Sequence, residues 1–355
     1  MSTVPTPSSS ERLIGLWLLI CCLVLLALIM LGGATRLTGS GLSMVDWRPI
    51  TGILPPLNDQ AWLRVFEMYR ASPEYQHINR GMSLAEFKFI FWFEYAHRVL
   101  ARFLGLLFIV PLVWFWLRGQ IPSRLRWPLL GLLALGAAQG YLGWYMVQSG
   151  LVDEPRVSQY RLAAHLGLAL VIYAGMLWLA VRLLWPRQAP SEAHNRPRVF
   201  LLLLAFTGIT ILSGAFVAGL KAGLIYNTFP LMGDDWVPPG LWALQPAWIN
   251  LFENPTTAQF NHRLLGLSTL VLVLLITGLG LRHTTTPGQR GALYALLALT
   301  SLQVLLGITA LLLHVPVVIG TLHQGGAVLL LSAVLVVGHT FTPITAPRFN
   351  SLTAS

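Results

Sequence analysis

The segment FEYAHRVLARF, residues 93–103, sets Glu94, His97, Arg98 and Arg102 at the entrance of a long apolar run. Ionisable groups are costly in hydrocarbon, so four within nine positions imply something that they hold. A second segment, AQFNHRLLGL at 258–267, repeats the pair as His262 and Arg263 but offers Gln259 where the first offers Glu94. Positions three apart share a helix face, so Glu94 stands beside His97 as Gln259 stands beside His262. His165, in RLAAHLGLAL, and His323, in IGTLHQGGAV, lie in later apolar runs. All four histidines fall six to eight residues inside the outer end of their run. At 1.5 Å per residue that is a depth of roughly 9–12 Å. One intramembrane histidine reads as an interhelical hydrogen bond; four at one depth read as a functional set. Two facing imidazoles, His97 with His165 and His262 with His323, make axial ligand pairs for haem iron.

Other metals fit less well. A di-iron bundle needs two Glu-x-x-His elements and two further glutamates, whereas the second element here is Gln259-x-x-His262. Cys21 and Cys22 are adjacent inside the first apolar run, and neither CxxC nor a Cys/His zinc spacing occurs. Haem propionates need cations near the aqueous edge, and Arg98, Arg102, Arg161, Lys221 and Arg263 are the candidates. Gly105, Gly167, Gly266, Gly325 and Gly326 would let a flat macrocycle approach the helices. His77, His194 and His283 fall in loops, His339 near the end of the last run and His314 at a turn; solvated, interfacial or structural roles suit them. Because Glu94 has no carboxylate counterpart, one half is suited to chemistry on its haem and the other to electron transfer.

These residues need a membrane scaffold. Of 355 residues 55% are hydrophobic and 10% charged, far below the roughly 25% charged of an average soluble domain. Apolar runs long enough to cross a bilayer recur at 12–32, 89–117, 127–148, 159–184, 198–218, 257–281, 291–313 and 317–340. The net charge of +10 sits mostly in short connections, which argues for the positive-inside effect and against nucleic-acid binding. Eleven of the 23 Lys/Arg, among them Arg118, Arg124, Arg126, Arg182 and Arg282, lie on one side of the spans. Asp153, Glu154, Asp234, Asp235 and Glu253 lie on the other, so both termini are expected in the cytoplasm. The first ten residues lack the arginines of a transit peptide, and a bacterial plasma membrane is the expected location.

The chain also repeats itself. LTGSGLSMVDW after the first span is echoed by LKAGLIYNTFP after the fifth, and AAQGYLG by SLQVLLG, which aligns Gln139 with Gln303. Four spans per repeat is an even number, so the halves share orientation. The expected fold is an all-α polytopic membrane protein of eight transmembrane helices, arranged as two tandem, pseudo-two-fold-related four-helix bundles. Its parts are a tail at 1–11, an N-terminal half at 12–185 with a long outer loop at 33–88, a linker at 186–197, a C-terminal half at 198–340 and a tail at 341–355.

At this point the sequence resembles the haem A synthase family. GGATRLTGSGLSMVDWRPITG (32–52), EFKFIFWFEYAHR (86–98), AGLIYNTFPLM (222–232) and FNHRLLG (260–266) carry the resemblance, which covers nearly the whole chain. The first two look like the mitochondrial and alphaproteobacterial branch. The resemblance implies oxidation of the C8 methyl group of haem O to the formyl group of haem A, for use in cytochrome oxidase. It implies that His97 and His165 flank the substrate haem, that His262 and His323 ligate a haem b cofactor, and that Glu94 is the catalytic carboxylate. One bacterial branch carries a cysteine pair in the first outer loop; this chain has none there. The expected partners are haem O, haem O synthase as its supplier, an electron-transfer partner and membrane lipid, and a homo-oligomer is compatible with them. Two other readings compete: a di-haem b-type cytochrome in quinol electron transfer, and a haem carrier.

Overall fold

The computed structural model describes residues 8–46, 52–151, 155–185, 197–283 and 286–341. Residues 1–7 and 342–355 of the expected tails, most of the linker with Arg187, His194 and Arg196, and Asp153 and Glu154 lie outside the described residues, whereas 8–11 already belong to the start of the first helix. Among the described residues eight helices are long and apolar enough to cross a membrane. They are α1 (Ser9–Leu37), α4 (Leu84–Leu117), α5 (Ser123–Gln148), α6 (Gln159–Leu184), α7 (Pro197–Gly219), α9 (Pro255–His283), α10 (Pro287–Leu312) and α11 (Val317–Phe341). Three shorter helices stand outside this set: α2 (Asp59–Arg70) and α3 (Pro73–His77) between α1 and α4, and α8 (Asn250–Glu253) before α9.

Local chemistry sets the boundaries. Ser8 with Glu11 and Ser83 with Glu86 form capping boxes that satisfy the free N–H groups at the starts of α1 and α4. The second box starts α4 at Leu84, five residues before the expected boundary. His97 therefore lies thirteen residues inside its helix and not six to eight, because α4 continues outward as an aromatic stem. α1 ends in a Schellman turn: Ser40 N–H donates to Thr35 O, Gly39 N–H to Arg36 O, and Gly39 takes the left-handed conformation with φ 67°. The corresponding turn after α7 places Lys221 there, at φ 53°, where a side chain is strained.

Helix pairing is alike in the two halves. α1 packs on α4 and α6, and α5 on α6; in the second half α7 packs on α9 and α11, and α10 on α9 and α11. The halves meet through α1 on α11, α6 on α7 and α6 on α11. One difference stands out: α4 and α5 touch only briefly, whereas α9 and α10 pack more extensively. α1, α6 and α11 thus form the centre, with Leu18, Cys21, Met176, Ala180 and Leu331 in one core and Leu203, Val273, Leu296 and Val334 in another. Outward residues such as Leu106, Val110, Trp127 and Leu305 are exposed, as lipid-facing side chains are.

A third core lies above the outer end of α4. Trp62, Phe66 and Tyr69 of α2 and Tyr75 of α3 close on Phe87, Ile90 and Phe91. Tyr69 stacks on Phe87 with ring centres 5.0 Å apart. The described part of the connection between α1 and α4 is therefore a packed cap against the first turns of α4, next to the segment that carries Glu94.

Candidate functional site

Each of the four histidines meets a glycine on a neighbouring helix. A Cβ at Gly214 of α7 would lie 2.9 Å from His262 Cε1, and one at Gly307 of α10 would lie 2.8 Å from His323 Cε1. Gly143 of α5 stands in the same relation to His165, at 3.0 Å. Gly32 of α1 faces His97 through its Nε2 atom, also at 3.0 Å, so the His97 ring is turned relative to the other three. The odd-numbered spans supply the glycines and the even-numbered spans the imidazoles. Sequence reasoning had pointed to other glycines. Gly105 and Gly266 do face open space, but a Cβ at Gly167 would meet Leu212, one at Gly325 Met30, and one at Gly326 Gln303.

Two glutamines complete the pattern. Gln139 Nε2 donates to the backbone carbonyl of His165 at 3.0 Å, and Gln303 Nε2 to that of His323 at 2.9 Å. Each ties a histidine-bearing helix to its neighbour at the depth of the ring. The Nδ1 atom of His165 is buried with no protein partner among the described residues. Such polar atoms are costly unless something completes the site.

The His262 and His323 rings are 6.2 Å apart, centre to centre, with planes at 86°. An iron held at about 2 Å from one nitrogen of each of two imidazoles puts the ring centres about 6 Å apart. The centre-to-centre distance of the pair matches that value. His97 and His165 also lie close enough to interact electrostatically. Among the described residues no three His, Cys, Asp or Glu side chains gather as a metal cluster.

Glu94 is 3% exposed. Its carboxylate accepts hydrogen bonds from Ser43 Oγ at 2.7 Å, Met44 N–H at 2.8 Å and Arg98 Nη2 at 2.6 Å. Arg98 also donates to the carbonyls of Met44 and Asp46. Gln259 occupies the same place in the second half with a weaker arrangement. Its Nε2 donates to Tyr226 O at 3.0 Å, and its Oε1 is buried without a protein partner. Arg263 donates to the carbonyls of Tyr226, Thr228 and Leu231. Both arginines thus clamp the loop after the preceding odd-numbered span.

Of the other cationic candidates, Arg161 donates to Tyr145 O at 2.7 Å and lies 3.7 Å from that ring centre. Arg102 is half-buried one turn inward from Arg98, and Lys221 is exposed. His339, expected at the interface, is buried instead. Its Nε2 lies 2.8 Å from the carbonyl of Trp185 just beyond α6, and its ring packs edge-on against Trp178. A carbonyl at a helix end has no intrahelical donor, which gives this histidine a structural role. His314, at the end of α10, has φ 60°.

Comparison with known proteins agrees over nearly the whole length. Residues 15–335 match the COX15-CtaA family, described as cytochrome oxidase assembly protein. A "Heme A synthase" of Nitrosospira multiformis is 47% identical, over 95% of this chain and 97% of that one. One from Agrobacterium fabrum is 50% identical, over 90% of this chain and 88% of its own. "Heme A synthase COX15" of Arabidopsis thaliana is 43% identical, over 97% of this chain and 78% of its own.

Proposed function

The chain belongs to the COX15-CtaA family, and on that premise we propose a division of labour between its halves. The activity is that of a haem A synthase, a multi-pass membrane oxidoreductase that converts haem O to haem A. In the proposed division the first half holds the substrate and the second holds haem b. One contrast carries this reading: Glu94 stands beside His97 within a donor-rich pocket, and Gln259 stands beside His262.

In this reading His97 and His165 would hold haem O, and Glu94, on the same face of α4 as His97, would serve the methyl group that is oxidised. Oxidising a methyl carbon to the formyl level removes electrons and protons beside the ring, so a proton acceptor must stand close to that carbon. Among the described residues of α4, α5 and α6, Glu94 is the buried carboxylate at the required level. Ser43, the Met44 N–H and Arg98 fix its orientation, which limits motion of the acceptor during turnover. His262 and His323 would hold haem b as a bis-imidazole pair, and that group supplies reversible one-electron transfer. A quinol cytochrome or a haem carrier gives no reason for a carboxylate in one half alone.

Three further elements complete the reading. The shared pairing of helices and the matched glycines, glutamines and histidines support two four-helix bundles related by a pseudo-two-fold axis along the membrane normal. The arginine-rich connections support cytoplasmic termini and an outer-leaflet position for all four histidines. The thin α4–α5 seam supports entry of the apolar substrate from lipid, supplied by haem O synthase, with electrons leaving to a separate partner.

The test is extraction and chromatography of haems from membranes of a host that makes haem O, with and without this protein. Haem A appearing only with the protein is the expected result. Two bound b-type haems with haem O unconverted would favour the cytochrome reading.

A further inference from the structure

His262 has a partner that its counterpart in the first half lacks. Its Nδ1 lies 2.8 Å from Ser213 Oγ of α7. The same oxygen donates to the Thr210 carbonyl at 2.7 Å, one turn earlier in that helix. A hydroxyl has a single proton to give. With that proton directed at Thr210, Ser213 Oγ accepts from the imidazole. This arrangement corresponds to the tautomer with the histidine proton on Nδ1, which leaves Nε2 its lone pair for a metal.

The glycine contacts provide the register for comparing the halves. Ser213 immediately precedes Gly214, which meets the His262 ring; Leu31 immediately precedes Gly32, which meets the His97 ring. The left-handed turns agree, since Gly39 and Lys221 each lie seven residues after those glycines. Leu31 has no group with which to hold an imidazole. Among the described residues no hydrogen bond reaches the His97 ring, and that ring turns its Nε2 toward Gly32.

We propose that Ser213 is a positioning residue for haem b. It fixes the tautomer and ring orientation of His262 as a permanent axial ligand, while Leu31 leaves His97 free to take up substrate and release product. The proposal rests on the assignment of His262 to haem b made above. A hydrogen bond on the distal imidazole nitrogen raises the basicity of the ligating one and orients the ring, which strengthens binding and favours ferric iron. An imidazole without that bond must be oriented anew at each binding event, so it retains a haem less firmly. A resident cofactor needs the first property and a substrate that turns over needs the second.

The experiment uses the full-length protein purified with its haem, as wild type and as Ser213→Ala, Ser213→Thr and His262→Ala. Three quantities are read: the haem b midpoint potential, the ferric electron paramagnetic resonance signal, and the rate of haem transfer to apomyoglobin. Ser213→Ala is expected to keep haem b with a raised potential, a shifted signal and roughly tenfold faster transfer. Ser213→Thr, which retains a hydroxyl, should restore all three. Wild-type values of all three in Ser213→Ala would overturn the proposal and leave the ligand assignment standing. If Ser213→Ala binds no haem, restoration by threonine supports the role, and its failure to restore haem overturns it. A normal b-type spectrum in His262→Ala would instead overturn the assignment beneath it.

Discussion

At the scale of single residues, imidazole, carboxylate and glycine divide the work. His262 and His323 face each other across helices with ring centres 6.2 Å apart, and a glycine on a neighbouring helix lies opposite each of the four histidine rings. His262→Ala or His323→Ala should abolish the low-spin b-type spectrum of the purified protein, because among the described residues of α7, α9, α10 and α11 no other imidazole lies at that depth. Absorption spectroscopy of both variants checks this, and a normal b haem in each would contradict the ligand assignment. The four histidines and the Glu94/Gln259 contrast were legible in the sequence because their spacing recurs in both halves. The commitments of Arg98 and Arg263 were not. An arginine near a helix end looks alike whether it meets a propionate or a loop carbonyl, and only the folded loop distinguishes them. Ser213 was hidden for another reason: a serine in an apolar span has no pattern until the neighbouring helix brings His262 to it.

At the scale of elements, the outer cap is the part that hydropathy did not reveal. Its amphipathic signal was present in α2, where Trp62, Phe66 and Tyr69 follow helical spacing after the N-cap Asn58. It is too short and too polar to register as a span. The cap contains a buried carboxylate, Glu74, which accepts a hydrogen bond from Tyr69 Oη at 3.1 Å. Burial, with a smaller contribution from the Glu94 charge, pushes the Glu74 carboxyl up to about 7; the Tyr69 hydrogen bond and Lys221 act against the rise. A carboxyl raised in the folded state favours folding below its unfolded value, and that contribution is lost as pH rises through the folded value. The cap should therefore loosen between about pH 4.5 and pH 7. Glu74→Gln keeps an acceptor for Tyr69 and removes the charge. It should flatten this dependence and raise stability above pH 7 by an amount on the order of 2–3 kcal/mol. Thermal unfolding in detergent across that range checks it, and an unchanged pH profile would contradict the account of the cap.

At the scale of the whole molecule, eight spans put both ends of the described chain on one face. Each span was legible because about 20 apolar residues leave few alternatives, although the ends were set by capping residues and not by hydropathy. The expected topology predicts that cysteines introduced singly at Ser123 and Asp235 label from opposite faces of intact cells, Ser123 from the inside. The native Cys21 and Cys22 are buried and should not interfere. Labelling of both positions from one side would overturn the orientation, and with it the outer-leaflet placement of the histidines.

The central claim is that Glu94 does the proton chemistry of the first half, and the haem content of Glu94→Gln tests it most directly. The amide preserves size and removes the titratable group. It also turns an N–H₂ toward Arg98 or the Met44 N–H, which should weaken the hold on the loop by about 1–3 kcal/mol. The second half shares none of these contacts, so haem b should be retained as an internal control. The account predicts normal haem b, accumulated haem O or a hydroxylated intermediate, and little haem A. Near-normal haem A from a variant with normal haem b would contradict it and leave Glu94 as a clamp for the loop after α1.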